Sequence, residues 1–324
     1  MRAMTFDAVR AVADAVLFEG YALYPHRASA LDDQQRWQLG VLSPRAAVEA
    51  AGATGDGRRW WLESQCLLEV PEAGGGAPAA FVDGRLRFLH ACRREIQRAT
   101  TAGAAATTFA PTPSLEIGGQ PLVPWDEGHV REVELGCALP PGREPTERVL
   151  AFGFPDQTMT DVVRGPRGEP SGRVTRRQRA LAGVIRLGAD HLPGARPLYR
   201  LRVRIENVST VPAAPRLRER PAPPDEAPLT SLIAVHLLLA VSNGAFVSLL
   251  EPPGWAREAA AACRSTGTYP VLAGPPGRRD LVLSSPIILH DHPRVAPESP
   301  GVLFDTTTTD ESPEPGRRLR MRRM

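Results

Sequence analysis

The chain has 324 residues, 42% of them hydrophobic and 23% charged, the balance of a globular protein of one large domain or two ordinary ones. All 39 basic residues are arginine, which excludes Schiff-base chemistry and a phosphate-binding P-loop lysine. The formal charge of +3 resides in the last eight residues, RRLRMRRM; the rest carries 34 basic against 36 acidic residues, and such neutrality argues against nucleic acid as a partner.

An amphipathic helix opens the chain. Phe6, Val9, Val12, Ala13, Val16 and Leu17 recur at helical spacing and Gly20 closes it. Polar residues interrupt it, unlike the apolar run of a signal peptide, and a cytoplasmic location is the expectation. YALYPHRAS then reads as an extended segment, followed by a strand candidate at 36–42. Tyr21, Tyr24, His26, Arg27, Arg36 and Trp37 are the candidate protein interface, because Tyr, Trp and Arg dominate such surfaces. The same residues equally suit a segment laid across a core. Ser43-Pro44 opens a short helix through Ala51, so residues 1–57 form a helix and extended segment packed on the core.

From Arg58 the period becomes two. Trp60, Leu62, Cys66, Leu68 and Val70 share one face; after a Gly-rich turn, Leu86, Phe88, His90 and Cys92 do the same. These two runs read as an antiparallel hairpin, the second turning helical near Glu95. Residues 100–113 read as a loop, and 131–139 and 148–154 as strands. In LYRLRVRIENV, Tyr199, Leu201, Val203 and Ile205 face one way and Arg200, Arg202, Arg204 and Glu206 the other, a half-buried strand with a charged outer face. Its partner is LAGVIRLGADHL. Residues 212–228 form a proline-rich loop. SLIAVHLLLAV is too short to cross a bilayer, and pairs with AFVSLL through Asn243-Gly244, a strong hairpin signal. A short helix, GWAREAAAACR, and two strand candidates, TYPVLAG and DLVLSSPIIL, complete the core. The fold expected is mainly β, an antiparallel sandwich or open barrel with an N-terminal helix and a few short helices. The β domain spans 58–304, with a division into two sub-domains near 100–130 left open, and 305–324 form a disordered tail.

The chemical templates fail. No GxGxxG follows a strand, no GxSxG occurs, and no local Ser-His-Asp clustering makes a triad, because triads are assembled from distant loops. Cys66, Cys92, Cys137 and Cys263 match no zinc or iron–sulfur spacing and read as small hydrophobes of a reduced compartment. His236, inside an apolar run, reads as a core histidine bonded to backbone. One metal candidate remains. His290 and His292 flank Asp291, and on a strand residues i and i+2 face one side. Further ligands would come from His26, His90, His129, His191, His236, Glu298 or Asp305, none at a telling spacing, and Pro293 follows at once. A strand end running into a turn is the competing reading. No catalytic residue and no cofactor are assigned.

ADAVLFEGYALYPHRASALDDQQRWQLGVL near the start, and SLLEPP, AAACRSTGTYPVLAG and LVLSSPIILHDHPRVAPESPGVLFD near the end, resemble a family of uncharacterised proteins. That family is encoded in gene clusters of high-affinity, hydrogen-oxidising [NiFe]-hydrogenases, beside maturation genes. The resemblance covers most of the chain and implies a non-catalytic accessory or assembly role, with hydrogenase subunits or maturation proteins as partners. It supplies no catalytic residues. In the family resembled, aromatic side chains stand where His290 and His292 stand here, and VLFD runs on into an acidic helical extension. Here TTTTDESPEPGRRLRMRRM follows instead, the mark expected of a truncated or frameshifted end.

Overall fold

The structure, a computed structural model, describes residues 6–18, 39–52, 58–71, 79–102, 106–139, 146–194, 196–210 and 226–295. Its core is two antiparallel sheets packed face to face. With strands numbered in chain order, the first sheet runs β13 (Ala245–Val247), β1 (Trp61–Glu69), β11 (Leu198–Asn207), β10 (Leu181–Leu192) and β7 (Thr146–Phe154). The second runs β14 (Tyr269–Leu272), β15 (Leu281–Ser285), β12 (Ile233–Ser242), β2 (Phe81–Ala102), β9 (Pro170–Gln178) and β8 (Gln157–Arg164). β3 (Ala106–Pro111) and β6 (Trp125–Ala138) pair with the other edge of β2, and β4 (Leu115–Ile117) and β5 (Gln120–Leu122) form a small ribbon. The protein is thus mainly antiparallel β with a few short helices.

Alternation explains the core. Leu62, Cys66 and Leu68 of β1, and Leu201, Val203 and Ile205 of β11, meet Val82, Leu86 and Phe88 of β2 and Val235, Leu237 and Leu239 of β12 between the sheets. Three buried hydroxyls cross this apolar layer: Ser64 Oγ lies 2.8 Å from Ser284 Oγ, which lies 2.8 Å from Thr268 Oγ1. β12 is buried on both faces because the helix α1 (Asp7–Ala13) covers the outer one. Phe6, Val9, Val12 and Leu17 pack there on Ile233, Leu238 and Leu283. A short helix α2 (Arg45–Ala51) follows Pro44, and α3 (Arg257–Ala262) lies near Leu67 of β1.

Three local pairings differ from the sequence reading. β1 and β2 are strands with the expected faces, but they belong to opposite sheets; β1 pairs with β11 and β13. Alternation reports which face is buried, and here each run buries its face against the other across the core. Asn243 does adopt the left-handed turn conformation (φ 55°), but the turn carries the chain from β12 to β13 in the opposite sheet. β12 already has β2 and β15 on its two edges, which leaves no place for a hairpin partner. The segment 36–42, read as a strand, has among its described residues a turn at Leu39–Gly40 and isolated bridges at Leu42, to Leu232 and to Arg59.

β2 continues as strand past Glu95 to Ala102, 22 residues in all, where the sequence reading has a helical turn. Its first half lies in the sandwich. Its second half leaves it and carries β9, β8, β3 and the β4–β5 ribbon as an arm with its own small cluster, Ile96, Leu115 and Val174. The expected β10–β11 hairpin forms, with Ile185 opposite Ile205. On its outer face Arg202 pairs with Asp190 at 3.1 Å, Arg204 pairs with Glu206 at 2.7 Å, and Arg204 stacks 3.8 Å from the Trp61 ring, so the charged outer face pairs with itself.

Candidate functional site

The two histidines singled out in the sequence do not sit on a strand. β15 ends at Ser285, so strand alternation no longer sets the directions of His290 and His292. His290 is exposed; His292 is half-buried with φ 56°, and its backbone N–H donates to the Leu272 carbonyl at 2.7 Å. Between them Asp291 accepts from the Leu272 N–H at 2.8 Å and from the Ser248 hydroxyl. His292 Nδ1 lies 3.2 Å from the Gly274 carbonyl. The His-Asp-His stretch therefore knits this segment to β14. Tyr21, Tyr24, His26, Arg27, Arg36 and Trp37 lie outside the described residues.

A denser polar group lies where β2 leaves the sandwich. The core-facing positions of β2 run Leu86, Phe88, His90, Cys92, Arg94. Register sets His90 opposite His129, Cys92 opposite Glu127 and Arg94 opposite Trp125 of β6. On the other side of β2, Arg94 lies opposite Arg176 of β9. Beyond the reach of the first sheet, this face exchanges apolar for titratable side chains.

Its hydrogen bonds are specific. Gln178 Nε2 donates to His129 Nδ1 at 3.2 Å, and Gln178 Oε1 accepts from Arg131 at 3.0 Å. With Nδ1 an acceptor, His129 Nε2 carries the proton and faces Glu127 at 3.5 Å. Arg176 reaches both Glu127, at 3.3 Å, and Asp161 of β8, at 3.1 Å. Arg94 lies 3.6 Å from Glu127, donates to the Val123 carbonyl at 2.9 Å and stacks 5.1 Å from the Trp125 ring. Burial pushes the Glu127 carboxyl up, but the His129 hydrogen bond and the charges of Arg176 and Arg94 outweigh it, and the net shift is downward. Burial, then the Glu127 charge, pushes the Cys92 thiol up to about 11. Cys92 Sγ, a Glu127 oxygen and a His129 nitrogen all lie within 4.8 Å of one another, a spacing from which a metal ion could be held.

His90 is fully buried beside them. Its Nε2 donates to the Arg179 carbonyl at 2.9 Å, and its Nδ1 has no hydrogen-bond partner among the described residues. Burial, then the Arg131 charge, holds it down at about 4, so the ring stays neutral at neutral pH.

The arm ends in an open strand. β8 pairs with β9 and, among the described residues, with no other strand. It is exposed almost throughout, with Met159 at 61% and Val162 at 48%. Arg176 links this edge to the polar group. The sequence names His90 and His129 among possible ligands, but Cys92 reads there as a small hydrophobe and Glu127 is not singled out. The signal that could have found them was a core face turning polar after Phe88.

Comparison of the chain with protein-family models, curated proteins and solved structures finds no match. Among the described residues no helix is long and apolar enough to cross a membrane.

Proposed function

We propose that this chain is a non-catalytic accessory protein that works by protein–protein contact in a [NiFe]-hydrogenase system, with a hydrogenase subunit or maturation protein as partner. The hydrogenase setting follows from the resemblance at the two ends of the chain. The contact role is supported by one observation above the others, the free β8 edge. A strand edge with unpaired backbone groups is a template for a partner strand, and most proteins protect it with charge, proline or a covering element. From Gln157 to Val163 β8 carries a single charge, Asp161, and that charge is engaged by Arg176. Met159 and Val162 add apolar side chains for an incoming extended segment.

The test is co-purification of a tagged chain with hydrogenase subunits from cells that assemble the enzyme. Capture of those subunits, lost in Met159→Lys/Val162→Lys but with an unchanged thermal melt, is the expected result. Normal hydrogenase assembly and activity in a strain lacking the gene would remove the hydrogenase reading. Capture undiminished by the lysine pair would remove the edge as its means.

A further inference from the structure

We propose that Cys92, Glu127 and His129 form a binding site for a borderline-soft divalent cation of the zinc type. The site is built on two paired strands, β2 and β6, with Cys92 directly opposite Glu127 and His129 two residues along on the same face. Strands hold such groups more rigidly than loops do. One sulfur, one carboxylate oxygen and one imidazole nitrogen within 4.8 Å of one another make a mixed S, O, N set. Bonds of ~2.0–2.3 Å in a tetrahedron place ligand atoms roughly 3.3–3.8 Å apart, so contraction of about 1 Å closes the site. His129, with its side chain 43% exposed, can turn to supply it. The thiolate and imidazole select zinc or cobalt over magnesium or calcium, which take oxygen ligands.

His90 lies beside this group, outside the three ligand atoms that come within 4.8 Å of one another. It is the direct cross-strand partner of His129 and shares the face of Cys92. A carbonyl holds its Nε2–H, which leaves Nδ1 a bare lone pair in a buried setting with no hydrogen-bond partner among the described residues. One ring nitrogen fixed by a backbone carbonyl and the other bare is the arrangement of a metal-ligating histidine.

Arg94 and Arg176 do not block a cation. Arg94 makes its short bonds to Val123 and only approaches Glu127, at 3.6 Å, while Arg176 is shared with Asp161. One carboxylate oxygen can bind the ion while the other keeps an arginine, an outer contact that orients a ligating carboxylate. As the sulfur–metal bond forms, the Cys92 S–H bond breaks and its proton leaves to solvent; His129 turns away from Gln178, its ring proton passes through solvent from Nε2 to Nδ1, and the freed Nε2 lone pair binds, so the site gains one net positive charge.

The test is Co2+ titration of the full chain after chelator treatment, followed by Zn2+ displacement. One equivalent should bind with a thiolate-to-cobalt charge-transfer band and be displaced by zinc. His129→Ala, at a half-exposed position, and Cys92→Ser should each weaken binding at least tenfold while His290→Ala/His292→Ala leaves it unchanged. Thermal melts establish that each variant is folded. Absence of one-equivalent binding, or binding that survives His129→Ala and Cys92→Ser, overturns the proposal. So does loss of binding on removal of the His290 and His292 imidazoles.

Discussion

His236 makes the protein acid-sensitive in a defined window. The ring is fully buried on β12, opposite Arg87 of β2. Its Nδ1–H donates to the Ala234 carbonyl at 2.8 Å, which leaves Nε2 as acceptor for the Arg87 guanidinium at 3.3 Å. Arg87 in turn faces Asp14, after α1, at 2.8 Å and Glu132 of β6 at 3.2 Å. A proton on Nε2 would be buried and would point at a cation. Burial first, and the Arg87 charge besides, therefore lower the His236 pKa to about 3, against a hydrogen bond to Ala234 that raises it. The unfolded chain takes up this proton near pH ~6.5 and the folded chain does not until about 3, so the stability is complete above ~6.5 and is lost as pH falls. The slope approaches about 1.4 kcal/mol per pH unit, and the loss by pH ~4.5 is about 2.7 kcal/mol relative to the plateau above pH ~6.5. Urea unfolding followed by circular dichroism across that range measures it. His90 contributes in the same direction, so the quantity to compare is the slope of wild type against His236→Gln. The variant should be less stable at neutral pH and shallower by about one proton. Equal slopes in the two proteins would refute the reasoning.

Two substitutions probe the packing. Arg87→Met removes the cation between Asp14 and Glu132; both carboxylates are about one-third exposed, so we expect a loss of about 2–3 kcal/mol in urea unfolding, with faster amide exchange along α1. A Cβ at Gly183 would fall 2.1 Å from Phe152 Cζ across the β10–β7 pair. Gly183→Ala should cost about 1–3 kcal/mol in the same measurement, and Phe152→Ala in that background should cost less than Phe152→Ala in wild type.

Where one face of a strand is buried, the sequence was informative. In β11 the apolar and charged faces lie as the alternation implies, and β10 is its neighbour because a short connection leaves little choice. Neighbours of the other strands were not legible. β1 and β2 show the same alternation as a hairpin would, because a core between two sheets and a core beside one sheet bury the same residues. β12 lacks alternation altogether, since α1 covers its second face. The arm was illegible for the opposite reason. Gln157, Thr158, Thr160 and Arg173 show no clean apolar alternation, and the arm buries little beyond Ile96, Leu115 and Val174. The Cys92, Glu127 and His129 group depends on register between strands 35 residues apart in the pairing of Cys92 with Glu127, and local spacing carries no record of that.

β2 works as a beam. Its 22 residues span roughly 70 Å, and Phe88 in the sandwich core and Ile96 in the arm core lie on one unbroken strand. No linker separates the two cores along this strand, so the arm is not a module on a leash. A segment docked along β8 would be held at a fixed bearing to the sandwich, and a pull on it would be borne by the pairing of β2 with β6 and β12. Cutting the chain at the arm would take a structural member out of the sandwich, which makes the two parts one cooperative body in unfolding.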